Sequence, residues 1–333
     1  MSVALDSPAV SLHMQRALDA GQTARLRTAP NPWVGCVVVT ADGRIFTGAT
    51  EPPGMRHAEV VALDAALAAG ADTRGADVYV TLEPCNHHGR TGPCVQRLVD
   101  AGVRRVTVAV EDPDPLVAGT GIAALRAAGV EALCGDGEQP AREQLRAYLH
   151  HRTTGRPFVV MKVAATLDGR TAARDGSSQW ITGEAARRRV HELRAESQAV
   201  CTGAGTVRAD DPQLTVRHVQ GPDPMRVVLG AAPAGARIHP CIEWQQPLDA
   251  LLDHLGSLGV LQLLVEAGPR VSASFHRAGL VDRYVFHLAP ALAGGDAPGM
   301  FAGCGVSSIG EMWRGRIVGT RALGDDLEVV IEP

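Results

Sequence analysis

Apolar positions along the chain fall into short, nearly continuous runs that alternate with stretches of helical spacing. Val34–Val39 is such a run, closed by Ala41-Asp42-Gly43, and predicts a buried strand ended by a turn. Ala58–Ala69 is rich in Ala, Val and Leu and stops at Gly70, which predicts a helix with a glycine C-cap. Further strands are predicted at Asp77–Leu82, Arg105–Val110 and Val130–Leu133, and helices at Pro93–Ala101 and Gly121–Ala128. Repeated β-α-β units imply an α/β protein with a largely parallel sheet covered by helices. A polar helix over about Ala141–Leu149 is followed by the punctuated stretch His150–Pro157, which predicts a boundary between one domain over residues 1–150 and another over 156–333.

The pattern then restarts. Strands are predicted at Phe158–Val163, Ala199–Thr202, Arg226–Leu229, Leu261–Glu266, Asp282–Leu288 and Asp326–Ile331, and helices at Glu184–Ala195, Leu248–Leu258 and Ser272–Ala278. No Gly-x-Gly-x-x-Gly follows the first of these strands, so the second domain is not a standard dinucleotide-binding unit.

A length of 333 residues agrees with two domains, and 45% hydrophobic with 20% charged residues is the composition of a folded globular chain. The net charge of -4 argues against a nucleic-acid binder, and no run of 18 apolar residues suggests a membrane span. The first residues lack a basic region followed by an apolar core, so they do not read as a signal peptide. Seven scattered cysteines fit reduced, cytoplasmic thiols, with any cluster metal-binding or catalytic. Of 32 basic residues a single one, Lys162, is lysine, and Asn occurs only at Asn31 and Asn86. Where composition disfavours Lys and Asn so strongly, the survivors mark positions at which chemistry refuses a substitute.

The strongest chemical signal is His57-Ala58-Glu59 with Pro84-Cys85 and, eight residues further on, Cys94. One His and two Cys form a zinc set that leaves the fourth tetrahedral position to water, as a catalytic site requires. Zn²⁺ lowers the pKa of such a water from ~15.7 to about 7. Glu59 can then carry a proton from water to a leaving amine, the arrangement of nucleobase deaminases. A structural zinc would need His87 or His88 as fourth ligand. The insert Asn86–Pro93 between the two cysteines is polar, carries Arg90, and suits a small polar or phosphorylated substrate.

These residues lie in longer motifs. Pro30-Asn31-Pro32-x-Val34-Gly35, His57-Ala58-Glu59-Val60 and Thr81–Cys94 resemble the deaminase half of the bifunctional riboflavin-biosynthesis deaminase/reductase family. Lys162-x-Ala164-x-Thr166-Leu167-Asp168-Gly169-Arg170, Ser178–Thr182, Gly203–Thr215 and Val265–Pro269 resemble its reductase half. The resemblance spans nearly the whole chain. It implies a cytidine-deaminase-like N-terminal domain and a dihydrofolate-reductase-like C-terminal domain. It implies zinc-dependent deamination of 2,5-diamino-6-ribosylamino-4(3H)-pyrimidinone 5′-phosphate, then reduction of the ribosyl group to ribityl by NADPH. His57, Cys85 and Cys94 match zinc ligands, Glu59 the proton shuttle, and Asn31, His87 and Arg90 substrate contacts. In the reductase half Lys162 matches a catalytic position, and Ser178, Arg194, Leu214 and Arg217 substrate positions. Ala164, Trp180, Thr182, Gly203, Gly205, Thr206, Asp210, Glu266 and Gly268 are assigned to the cofactor side, although Thr182, Asp210 and Glu266 also match substrate positions. The expected partner is a small molecule, with no nucleic acid or membrane, and the expected assembly a homo-oligomer, dimer or tetramer.

The chemistry of Arg194 and Arg217 as phosphate forks agrees with that resemblance; read without it, each lone Arg is a solvated surface charge, Asp210-Asp211 is a turn or helix cap before Pro212, and His191 lies on a helix surface. The chain departs from the family pattern at Thr50, where His is common, at Asp114, where Asn is usual, and at Arg56, where Pro is common. The stretch Gly230–Leu261 is short, which predicts a missing edge strand or loop and leaves, as the alternative, a deaminase with an impaired reductase domain. Two other readings compete: a nucleic-acid deaminase, disfavoured by charge and the lack of a basic aromatic stripe, and a non-enzymatic zinc module.

Overall fold

The structure, a computed structural model, describes residues 10–87, 92–115, 117–303 and 305–333. The chain divides into two compact units, Met1–Thr154 and Gly155–Pro333. In the first, α1 (Leu12–Gln22) precedes β1 (Gly35–Val39), β2 (Ile45–Ala49), α2 (Ala58–Ala68), β3 (Asp77–Val80), α3 (Cys94–Asp100), β4 (Arg105–Val108), α4 (Thr120–Ala127), β5 (Glu131–Cys134) and α5 (Glu138–Thr154). The five strands lie in the order β2-β1-β3-β4-β5. Pairing is antiparallel on both sides of β1 and parallel from β3 to β5, so the sheet is mixed. Val37, Val38, Val78, Val80, Val106 and Val108 are fully buried in it. Helix α5 continues through His150–Thr154, where a linker was expected, because that polar segment contains no Pro or Gly before Gly155 to stop it.

Two elements absent from the pattern reading, α1 and β2, clamp this unit. Ser11 caps α1 by accepting the Met14 N–H at 3.2 Å. Glycines let backbones meet: a Cβ on Gly35 would lie 1.8 Å from Ala17 O of α1, and one on Gly48 would lie 2.2 Å from Ala58 O and 2.5 Å from the Ala62 nitrogen of α2. The β2–α2 approach therefore sets the height of the helix that opens with His57 and Glu59.

The second unit comprises β6 (Phe158–Thr166), α6 (Glu184–Glu196), β7 (Ala199–Gly203), α7 (Ala204–Asp210), β8 (Met225–Leu229), β9 (Ile242–Trp244), α8 (Leu248–Ser257), β10 (Gln262–Val265), α9 (Pro269–Arg277), β11 (Arg283–Ala289), β12 (Arg316–Leu323) and β13 (Asp326–Glu332). Its eight strands run β12-β13-β11-β6-β10-β7-β8-β9. The six from β11 to β9 are parallel to their neighbours, and the β12–β13 hairpin adds an antiparallel margin. Val159, Met161 and Val163 of β6 pack with Leu251 and Leu255 of α8 and Phe275 of α9 in one buried cluster. Lys162 and Ala164 therefore point to the other face of the same strand. Residues 230–261 have not lost the edge strand: β9 pairs with β8 there, from Val227–Ile242 to Leu229–Trp244.

The Gly48 contact yields a test. Gly48→Ala forces backbone against backbone and should cost at least about 2 kcal/mol of stability, read as a shift in the denaturant midpoint; an unshifted midpoint would show that β2 and α2 separate freely.

Candidate functional site

Each unit gathers one site at the ends of its strands. In the first, His57 is the N-cap of α2, Cys85 follows β3, and Cys94 is the first residue of α3. Their three ligand atoms lie within 4.8 Å of one another. His57 Nδ1 is 3.3 Å from Cys94 Sγ and 3.6 Å from Cys85 Sγ. Tetrahedral zinc, with bonds of roughly 2.1 Å to nitrogen and 2.3 Å to sulfur, holds such atoms roughly 3.6 Å apart, so the set fits the metal. Among the described residues no further His, Cys or carboxylate joins the group. His87 is exposed and outside it, which removes one of the two alternative fourth ligands, and His88 lies outside the described residues.

The electrostatics suit a cation. The hydrogen bond from Cys94, aided by His57, draws the Cys85 thiol down to about 4, whereas that contact and burial push Cys94 up. The Cys94 backbone N–H also donates to Cys85 Sγ at 3.4 Å. The Cys85 contact raises His57. Glu59, in the first turn of α2, is 4% exposed; burial, with the Cys85 charge, raises its carboxyl above the ordinary range.

A residue missed in the sequence holds this loop. The buried Glu83 carboxylate accepts four backbone N–H groups: Asp112 at 3.2 Å and Gly119 at 3.0 Å through one oxygen, Gly121 at 2.9 Å and Ile122 at 3.0 Å through the other. It caps α4 and fastens the end of β3, two residues before Cys85, to the loop after β4. Its only sequence signal was a carboxylate directly before a Pro-Cys pair. Of the expected substrate contacts, Asn31 is half-buried in the loop before β1, its N–H donating to Thr28 O at 2.7 Å, and Arg90 lies outside the described residues. Thr50 is buried, and its hydroxyl accepts the Val34 N–H at 3.1 Å. Asp114 pairs with Arg152 at 3.3 Å.

In the second unit a cleft of about 1590 Å³ opens at the carboxyl ends of the parallel strands, where ligands bind in open α/β sheets. It brings together Lys162, Ala164, Ser178, Trp180, Thr182, Arg194, Gly203, Gly205, Thr206, Asp210, Leu214, Arg217, Glu266 and Gly268. Arg194 is no free phosphate fork. Its guanidinium grips Glu266 bidentately at 2.6 and 2.9 Å and donates to Thr215 O at 3.1 Å, leaving its charge neutralised. Burial alone would raise Glu266, but Arg194 and then Lys162 hold its carboxyl below the usual range. Burial lowers the Lys162 ammonium, and Glu266 opposes that shift. Among the described residues the Arg217 guanidinium donates to the neutral acceptors Thr215 Oγ1 at 3.0 Å and Gln213 Oε1 at 3.4 Å, with the Asp223 and Glu266 charges acting on it without a hydrogen bond.

Asp211 is the C-cap of α7, as the helix-cap reading had it, in left-handed conformation at φ 40°, and Leu214 follows at φ 53°. Neither is glycine, so this cleft wall stores backbone strain. Trp180 is 71% exposed and stacks under the Arg187 guanidinium at 4.8 Å. His191 was expected on a helix surface; it is 4% exposed and borders the cleft, because α6 turns that side inward. Its i+3 neighbour Arg194, also buried, was the available signal.

Comparison with known proteins places both units. Residues 9–110 match the model of the cytidine and deoxycytidylate deaminase zinc-binding region, and residues 157–329 that of the RibD C-terminal domain. The chain is 42% identical over 328 residues to the riboflavin biosynthesis protein RibD of Mycobacterium tuberculosis, covering 94% of each. It is 36% identical to that of Escherichia coli, covering 95% of this chain and 97% of the relative. The crystal form 1 structure of Acinetobacter baumannii RibD superposes with a TM-score of 0.90 at 39% identity, covering 96% of this chain and 98% of that one. The Thermotoga maritima diaminohydroxyphosphoribosylaminopyrimidine deaminase/5-amino-6-(5-phosphoribosylamino)uracil reductase gives 0.89 at 30%, covering 96% and 97%.

The Glu83 capping predicts that Glu83→Gln, which turns an N–H₂ toward two backbone donors, costs about 2–4 kcal/mol. Zinc affinity, measured by chelator competition, should fall about ten-fold, and unchanged affinity would remove Glu83 from the support of the site.

Proposed function

The chain belongs to the RibD family of bifunctional riboflavin-biosynthesis deaminase/reductases, and from that premise we propose how its own residues divide two consecutive reactions on a pyrimidine ribosyl phosphate. The first unit, about residues 1–150, is the zinc-dependent deaminase and the second, about 156–333, the NADPH-dependent reductase. The substrate is 2,5-diamino-6-ribosylamino-4(3H)-pyrimidinone 5′-phosphate, and the final product 5-amino-6-ribitylamino-uracil 5′-phosphate.

The observation that carries the first step is a three-donor set, closed on one side by Glu59, with no fourth protein ligand among the described residues. His57, Cys85 and Cys94 would hold zinc, which supplies polarisation of a water at neutral pH. Glu59, with its raised affinity for a proton, takes one from the attacking water and delivers it to the amine that leaves as ammonia. Asn31, His87 and Arg90 are proposed to orient the pyrimidine and its ribose phosphate.

In the second step NADPH, held by the residues named below, would supply the hydride for the ribosyl carbon. Lys162 holds the proton that the reduced oxygen needs; burial weakens its hold, and the Glu266 charge opposes that shift. Gly203, Gly205, Thr206 and Gly268 let backbone approach the cofactor, with Ala164, Trp180, Thr182 and Asp210 completing that side. Ser178, Leu214 and Arg217 face the substrate, and Arg194 acts through Glu266 and Thr215. The edge strand retained within 230–261 counts against an impaired reductase.

A homo-oligomer, dimer or tetramer, and a cytoplasmic location belong to the same proposal. The edge strand β12, exposed along most of its length, supports the first, because open edges invite pairing with another chain. Among the described residues no helix is long and apolar enough to cross a membrane.

Two substitutions test the division of labour. Glu59→Ala should leave zinc content unchanged while ammonia release falls about 10²–10⁴-fold; undiminished release would take Glu59 out of the reaction. Lys162→Arg should cut NADPH oxidation with the deaminated substrate at least about 10²-fold while deamination continues, and near-normal oxidation would leave Lys162 without a catalytic part.

A further inference from the structure

His191 sits in α6 with its imidazole 4% exposed and bordering the cleft of the second unit. Its Nδ1 accepts the backbone N–H of Arg217 at 3.1 Å. A backbone amide can only donate, so this bond fixes the neutral tautomer with its proton on Nε2. Nε2 has no hydrogen-bond partner among the described residues. The ring thus offers one neutral N–H donor from an otherwise sealed side chain.

The surroundings state what that donor meets. The His218 ring stands edge-on to His191, 4.5 Å between centroids. Arg217, whose backbone His191 grips, keeps a guanidinium that, among the described residues, donates to neutral oxygens. Arg194 is neutralised by Glu266, and Arg237 meets Asp211, its backbone N–H donating to one carboxylate oxygen at 2.8 Å and its Nε standing 3.8 Å from the other. Burial first, then the charges of Arg194, Arg217 and His218, lower His191 to about 4 against the opposing Glu266, so the ring stays neutral at physiological pH. A neutral N–H beside an incompletely answered guanidinium is a site for an anionic oxygen.

We infer that His191 is a specificity-determining residue of the reduction, donating from Nε2 to a phosphate oxygen of the pyrimidine substrate, with the Nδ1 bond to the Arg217 backbone serving to set the tautomer. This rests on reading the cleft as the reductase site. Phosphate oxygens also occur on NADPH, and the two sources separate kinetically.

His191→Asn keeps an acceptor near the Nδ1 position and loses the Nε2 donor; His191→Gln places a donor near the Nε2 position and loses the acceptor. With both variants and the unaltered protein, KM and kcat for NADPH oxidation are measured against the deaminated substrate and against NADPH, alongside melting temperature. The expected result is a KM for the phosphorylated substrate raised about ten-fold or more in His191→Asn, with kcat and the KM for NADPH within about two-fold of the original and His191→Gln close to it. Unchanged substrate KM in His191→Asn overturns the inference, and a rise confined to the KM for NADPH overturns it in favour of a cofactor phosphate. Should His191→Asn fail to fold, His191→Gln decides: a near-normal substrate KM supports the donor, and a KM raised ten-fold overturns it. Absence of NADPH oxidation in the unaltered protein would instead sink the reductase reading itself.

Discussion

A carboxylate at the end of a buried strand must be surrounded by fixed donors or take up a proton, and both sites of this chain are built around that constraint. Glu83 meets it with four backbone amides, which close the end of β3, the loop after β4 and the start of α4 on one point. Glu266 meets it with the bidentate Arg194, which also holds Thr215. In each case the group that answers the charge fixes a loop, and the loop carries the chemistry: Cys85 in one unit, the Leu214–Arg217 segment in the other. Breaking either arrangement leaves a buried carboxylate without its donors, a far larger loss than that of an exposed ion pair.

Much of this was legible in the sequence, for reasons tied to particular residues. The core strands announced themselves as short apolar runs because they are covered on both faces, and the zinc set was visible because His57, Glu59, Cys85 and Cys94 lie in short local motifs. What escaped depends on tertiary contact. Strand β2 alternates exposed and half-buried residues, with its close approach to α2 carried by Gly48, a residue with no hydrophobicity to read. Strand β12 is exposed nearly throughout, so no apolar run marks it. Arg194 and Arg217 look alike in one dimension; only the fold shows that the first already has a carboxylate and the second does not. His191 was misplaced because α6 buries His191, Arg194 and Glu196 in addition to its apolar stripe of Ala186, Val190 and Leu193.

The departures from the family pattern also acquire physical content. Thr50 belongs to the scaffold, bonding both ways with the Val34 backbone at the entrance to β1. Asp114 carries a charge where an amide is usual, and Arg152 on α5 answers it. The stretch after β8, which the family pattern led one to expect incomplete, carries both β9 and α8, and the described sheet is eight strands wide.

Lys162 brings a consequence of another kind. It is the sole lysine of the chain, set in a central strand of the second sheet. A lysine-specific protease therefore has a single peptide bond to cut, Lys162–Val163, and that bond is held in strand pairing with β11. Cleavage requires the sheet to open, so the rate of appearance of two fragments reports directly on unfolding of that unit. The scarcity of lysine thus equips the protein with an internal reporter of its own cooperativity, with no label added.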